Sequence, residues 1–77
     1  MKKKLTSLLK SVKSIAIVGA SSNSNRDSYI VMKFLIDYGY KVFPVNPNET
    51  NNKILGKKCY SNLKSIKEKI NMVDIFR

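Results

Sequence analysis

Ile15-Ala16-Ile17-Val18-Gly19-Ala20-Ser21-Ser22-Asn23-Ser24-Asn25-Arg26-Asp27-Ser28 is the stretch that decides the fold. Its first four residues form a continuous apolar run. Such a run suits a strand buried on both faces, as in a parallel sheet. The run stops at Gly19, and turn-forming residues follow. Asp27 or Ser28 then caps a helix that carries Val31, Met32, Leu35 and Ile36 inward. That helix is expected to stop at Gly39, which tolerates the left-handed conformation of a helix end.

Working outward, Val42-Phe43-Pro44-Val45 reads as a second strand. Pro44 cannot donate to a ladder, so this strand is expected to be irregular or near an edge. Asn46-Pro47-Asn48 ends it in a turn. Residues 49–58 read as a polar loop around Ile54, Leu55 and Gly56, and Cys59-Tyr60 as a very short strand. Ser61 is expected to cap a short helix with Leu63, Ile66 and Ile70, and Met72-Val73-Asp74-Ile75-Phe76 is the last strand. Upstream, Leu5, Leu8, Leu9 and Val12 fall at i, i+3, i+4 and i+7, the stripe of a short helix packed on the sheet. This alternation predicts an α/β fold with a Rossmann-like doubly wound parallel sheet, incomplete and preceded by that short helix.

The chain has 77 residues, enough for one domain at most. Residues 1–77 are read as a single, partial domain. Its last strand would keep one apolar edge open, which suggests a fragment or a partner-dependent piece and leaves self-association or a partner at that edge open. The net charge is +10, from 15 Lys and Arg of which only Arg26 and Arg77 are arginine. The lysines are scattered rather than striped, which favours a solvated surface that attracts an anionic cofactor over nucleic acid or a membrane. Cys59 is the lone cysteine and histidine is absent, which excludes an intramolecular disulfide, a zinc cluster and a Cys–His or Ser–His pair within the chain. A lone thiol fits a cytoplasmic protein. The apolar run at 15–20 is too short to span a bilayer.

In a doubly wound sheet, ligands sit outside the carboxyl ends of the strands. Residues 19–28 would lie there and lead into a helix N-terminus, where free amides and a partial positive charge favour phosphate. Gly19 allows close backbone approach, Ser21, Ser22 and Ser28 offer hydroxyls, and Arg26 offers a planar fork. The ordinary alternative is a plain strand-to-helix loop. Gly19 is followed by no second or third glycine, and no acid sits at Asn46-Pro47 for a ribose hydroxyl, so standard NAD binding is disfavoured. The Walker loop is absent as well.

As an ordered set, the first-strand block Ile15-Ala16-Ile17-Val18-Gly19-Ala20-Ser21, Arg26 and Ser28, Gly39-Tyr40-Lys41-Val42, Pro44-Val45-Asn46-Pro47, Ile54-Leu55-Gly56-Lys57-Lys58-Cys59-Tyr60 and Val73-Asp74-Ile75-Phe76-Arg77 resemble the small stand-alone CoA-binding proteins. These are similar to the CoA-binding domain of the succinyl-CoA synthetase α subunit. The resemblance implies CoA or acyl-CoA as cofactor and a strand order of 3-2-1-4-5 in a domain larger than this chain. It implies that Gly19, Ala20, Ser21 and Arg26 meet the CoA phosphates, with Ser28 at the same helix start. Asn46 and Pro47 would lie near the adenosine, and Phe76 and Arg77 beside the pantetheine. Glu49 departs from what an anionic ligand prefers. The function implied is a CoA-binding module without catalytic or metal-ligating residues. The alternatives are the N-terminal fragment of an NDP-forming acyl-CoA synthetase, or an NAD(P)-binding Rossmann domain.

Overall fold

The computed structural model describes residues 13–50 and 52–76. The expected N-terminal helix on Leu5, Leu8, Leu9 and Val12, and the expected contact of Arg77, lie outside the described residues. Strand β1, Ser14–Val18, takes the centre of a parallel sheet. Helix α1, Asp27–Asp37, follows the polar loop, and strand β2, Lys41–Val45, returns beside β1. A short hairpin of β3, Lys53–Ile54, and β4, Lys57–Lys58, comes next. Strand β5, Met72–Ile75, pairs with the other side of β1, giving the order β2-β1-β5.

The apolar run at 15–18 fits this place because β1 is covered on both faces. Ile15 and Ile17 pack with Met32 and Leu35 of α1, Val42, Ile54 and Cys59 on one face. Ala16 packs with Phe43, Val45 and Ile66 on the other. The split follows the two-residue alternation of a strand. Ile15, Ile17, Met32 and Ile54 are almost completely enclosed. Burial of such side chains stabilises the fold by about 1.5–3 kcal/mol each. Ser14 is buried but fully bonded. Its hydroxyl donates to the Lys69 carbonyl at 2.6 Å, and its amide donates to Asn71 Oδ1 at 3.1 Å. This knot fixes the entry to β1 against the entry to β5.

Pro44 lies in register with Ile17, and its ring is enclosed. Its carbonyl accepts from the Tyr60 amide at 2.9 Å, on the side of β2 away from β1. The missing proline N–H therefore costs the β1–β2 ladder nothing. Tyr60 forms a single parallel bridge with Val45, so the expected short outer strand shrinks to one residue pair.

Several local expectations change. Arg26, not Asp27 or Ser28, occupies the N-cap of α1, and it makes no side-chain cap bond. Asp27 is the first helical residue. Gly39 does end the helix, at φ 96°. Within the expected polar loop, Leu55 and Gly56 both have positive φ and form the tight turn of the β3–β4 hairpin. The expected helix after Ser61 is one 3-10 turn, Leu63–Ser65, capped by Asn62, which accepts from the Ser65 amide at 2.9 Å. Ile66 is buried just beyond that turn, and a segment without helix or strand carries the chain to β5.

Candidate functional site

The exit of β1 is tied to the exit of β2. Val45 O accepts from the amides of Gly19 at 2.9 Å and Ala20 at 3.3 Å. Asn46 then reaches across, its Nδ2 donating to Ala20 O at 2.8 Å. Its Oδ1 accepts from the Asn48 amide at 2.9 Å and so caps the 3-10 turn Pro47–Glu49. Ala20 is fully buried, so it shapes the loop from beneath.

The remainder of the loop is wound on itself. Ser21 Oγ accepts from the Asn23 amide at 3.0 Å, and Asn23 Oδ1 accepts from the Asn25 amide at 2.9 Å. The Arg26 amide donates to Asn23 O at 3.0 Å. These turns spend the middle amides of the loop and deliver the chain into α1 with the amides of Asp27 and Ser28 unpaired among the described residues. Two free donors at a helix start suit an anion, as does the positive end of the helix dipole.

A cavity of about 440 Å³ opens at this point. Gly19 and Ser21 line it from the loop, Arg26 and Ser28 from the helix start, and Asn46 and Phe76 from the exits of β2 and β5. Asn25, and Asp27, which the sequence offered only as a helix cap, line it as well. Ser28 is only 4% exposed, and its hydroxyl has no hydrogen-bond partner among the described residues. Among the described residues no side-chain oxygen is both enclosed and unbonded, so that hydroxyl opens on the cavity. The Arg26 side chain is exposed and forms no ion pair among the described residues. A second cavity of about 390 Å³ shares Gly19, Asn46 and Phe76 with the first and adds Pro47, Val45 and Leu63. The fold thus brings Gly19, Ser21, Arg26, Ser28, Asn46 and Phe76 together, with Pro47 in the adjoining space.

Two residues change meaning. Gly19 has φ 86°, and an added Cβ would collide with the Phe76 carbonyl oxygen and stand 3.1 Å from its carbon. The space beside Gly19 is filled by the exit of β5, so its lack of a side chain serves strand packing first. Glu49 turns its carboxylate to the loop, where Oε2 accepts from the Ser22 amide at 2.9 Å. Sequence reasoning missed this bond because the partners are 27 residues apart and belong to two turns whose shapes no periodicity encodes.

Cys59 is fully buried against the same core. Burial pushes its thiol above the ordinary value of 9.0, and the Glu49 carboxylate adds to the shift. Among the described residues no group of three or more His, Cys, Asp or Glu side chains is placed to hold a metal ion. No helix among them is long and apolar enough to cross a membrane.

Residues 13–77 match the family described as CoA binding domain. The uncharacterized protein YneT of Bacillus subtilis is 41% identical over 76 residues, which are 99% of this chain and 55% of that protein. The ADP-forming acetate--CoA ligase of Methanocaldococcus jannaschii is 36% identical over 63 residues, covering 82% of this chain and 9% of the ligase. Among solved structures, a hypothetical protein from Pyrococcus horikoshii OT3 superposes with a TM-score of 0.90 at 43% identity, over 100% of this chain and 53% of that one. The Rossmann-like α/β expectation is borne out by this likeness and by the parallel sheet. The chain spans about half the length of YneT and of the Pyrococcus protein.

Proposed function

This chain belongs to the CoA binding domain family, and on that premise we propose that it binds CoA or an acyl-CoA with the phosphates at the start of α1. The observation that carries the proposal is the cavity there, where the amides of Asp27 and Ser28, the Ser28 hydroxyl and the Arg26 guanidinium have no partner among the described residues. This donor set fits a diphosphate. Backbone amides and a hydroxyl are fixed by the fold, and Arg26 adds a planar charged fork at the rim. The net charge of +10 draws an anionic ligand toward the site.

In this scheme Gly19, Ala20 and Ser21 shape the phosphate loop, and Ser28 and Arg26 hold the phosphates. Asn46 and Pro47 border the adenosine from the second cavity. Phe76 walls the pantetheine side, with Arg77 following it. CoA itself would supply a thiol for acyl transfer. In this reading the chain's part is to bind and orient CoA. It is proposed as a non-catalytic module of the cytoplasm with a small-molecule partner. The match to an ADP-forming acetate--CoA ligase favours a second reading, that the chain is the CoA-binding part of a larger acyl-CoA synthetase. NAD is disfavoured because Asn46 commits its side chain to Ala20 and Asn48 and presents no acid to a ribose.

The test is calorimetric titration of the 77-residue chain with CoA and, separately, with NAD. Saturable CoA binding with no heat from NAD is the expected result. Binding of NAD alone would overturn the assignment.

A further inference from the structure

The Ser22 amide is not available to a ligand, because it donates to Glu49 Oε2 at 2.9 Å. Neither Ser22 nor Glu49 lines the cavity around Gly19 and Ser28. An acid beside an anion-binding loop is electrostatically unfavourable, yet this one is held in place by local structure. Asn46 caps the turn Pro47–Glu49, and the Glu49 amide donates to Asn46 O at 3.0 Å. The same Asn46 donates to Ala20 O. Besides the Val45 carbonyl, the exit of β2 therefore grips the loop through two side chains: Ala20 through Asn46, and Ser22 through Glu49. Ser21, which lines the cavity, lies between the two grips.

We propose that Glu49 is a positioning residue for the phosphate site: it acts through the Ser22 amide and holds the loop in the shape that receives the ligand. The inference rests on the CoA assignment above. The hydrogen bond, rather than the charge, is what the site uses. A loop already held in its binding shape loses less freedom when the ligand arrives, which is the general source of affinity through preorganisation. The negative charge is a cost that accompanies the acceptor.

Glu49→Gln and Glu49→Ala separate the two contributions. Both remove the charge, but only glutamine keeps an oxygen that accepts from Ser22. Glu49→Gln is expected to bind CoA about three- to tenfold more tightly than Glu49→Ala, the range of one ordinary hydrogen bond. Exchange of the Ser22 amide with solvent, read without ligand, should quicken in Glu49→Ala and stay slow in Glu49→Gln. Equal CoA affinity in the two variants would overturn the proposal, as would a Ser22 amide unaffected by Glu49→Ala. If the unsubstituted chain fails to bind CoA while Ser22 exchange follows residue 49 as expected, the CoA assignment fails. The brace then exists but positions nothing, and the ligand role is overturned with it.

Discussion

Gly19→Ala is expected to damage the fold rather than the ligand site alone. Gly19 sits at φ 86°, where an L side chain is strained. Holding a non-glycine residue in a sparsely populated region costs about 1–3 kcal/mol. The new methyl would also drive into backbone, since its neighbours are the Phe76 carbonyl oxygen and carbon. Backbone cannot swing away as a flexible side chain can, and overpacking of this kind costs about 1–3 kcal/mol more. Relief requires the exit of β5 to move off β1, at the expense of the bond from the Phe76 amide to Val18 O at 2.8 Å. The combined loss of roughly 2–6 kcal/mol is large beside a whole-domain stability of roughly 4–12 kcal/mol for a chain this short. At about 4–8 °C per kcal/mol, melting should fall by at least about 8 °C. Thermal unfolding followed by far-UV circular dichroism reads this directly. A Gly19→Ala chain that melts within about 2 °C of the parent, with an unshifted Phe76 amide resonance, would refute the reasoning.

Three further outcomes are expected. Arg26→Ala should weaken CoA binding by about 1–3 kcal/mol, the scale of a charged hydrogen bond, and leave the melting temperature unchanged because the Arg26 side chain has no partner among the described residues; calorimetry and a melt on one sample check both. Asn46→Ala removes bonds to Ala20 O and from the Asn48 amide, so both stability and CoA affinity should fall, the former by about 1–2 kcal/mol, while an unchanged denaturation midpoint would count against the bracing role. The Cys59 thiol is held neutral by burial, so the folded chain keeps its proton to higher pH than the unfolded chain. That stabilisation is complete below the ordinary thiol value of 9.0 and is lost as pH rises past it through the higher folded value. The stability of Cys59→Ala should therefore fall less steeply above that pH than that of the parent, and Cys59 should resist alkylation until the chain is unfolded.

The parts of this molecule that were legible in its sequence are those with a repeating physical signature. The run Ile15 to Val18 announced a strand buried on both faces, and the structure covers both. Met32 and Leu35 fell on the buried side of α1, and Gly39 marked its end. The loop from Gly19 to Ser28 was visible as the place where an apolar run meets turn residues ahead of a helix. What stayed hidden lacks periodicity. The β3 and β4 strands have two residues each, too few for alternation to show. The segment after Ser61 has apolar residues at helical spacing, but only one turn forms before irregular backbone leads to β5. The ties that hold the loop, Asn46 to Ala20 and Glu49 to Ser22, join residues far apart in sequence. Gly19 was read for the ligand it admits, whereas the nearest atoms to its missing Cβ belong to Phe76.

The most direct measurement is an amide-resolved NMR titration of the chain with CoA. Shifts concentrated at Gly19, Ser21, Asp27, Ser28 and Asn46 are expected, with the outer helix face at Ile30 and Phe34 unmoved. A dispersed spectrum that ignores CoA, or shifts confined to residues away from the start of α1, would contradict the assignment of the phosphate site.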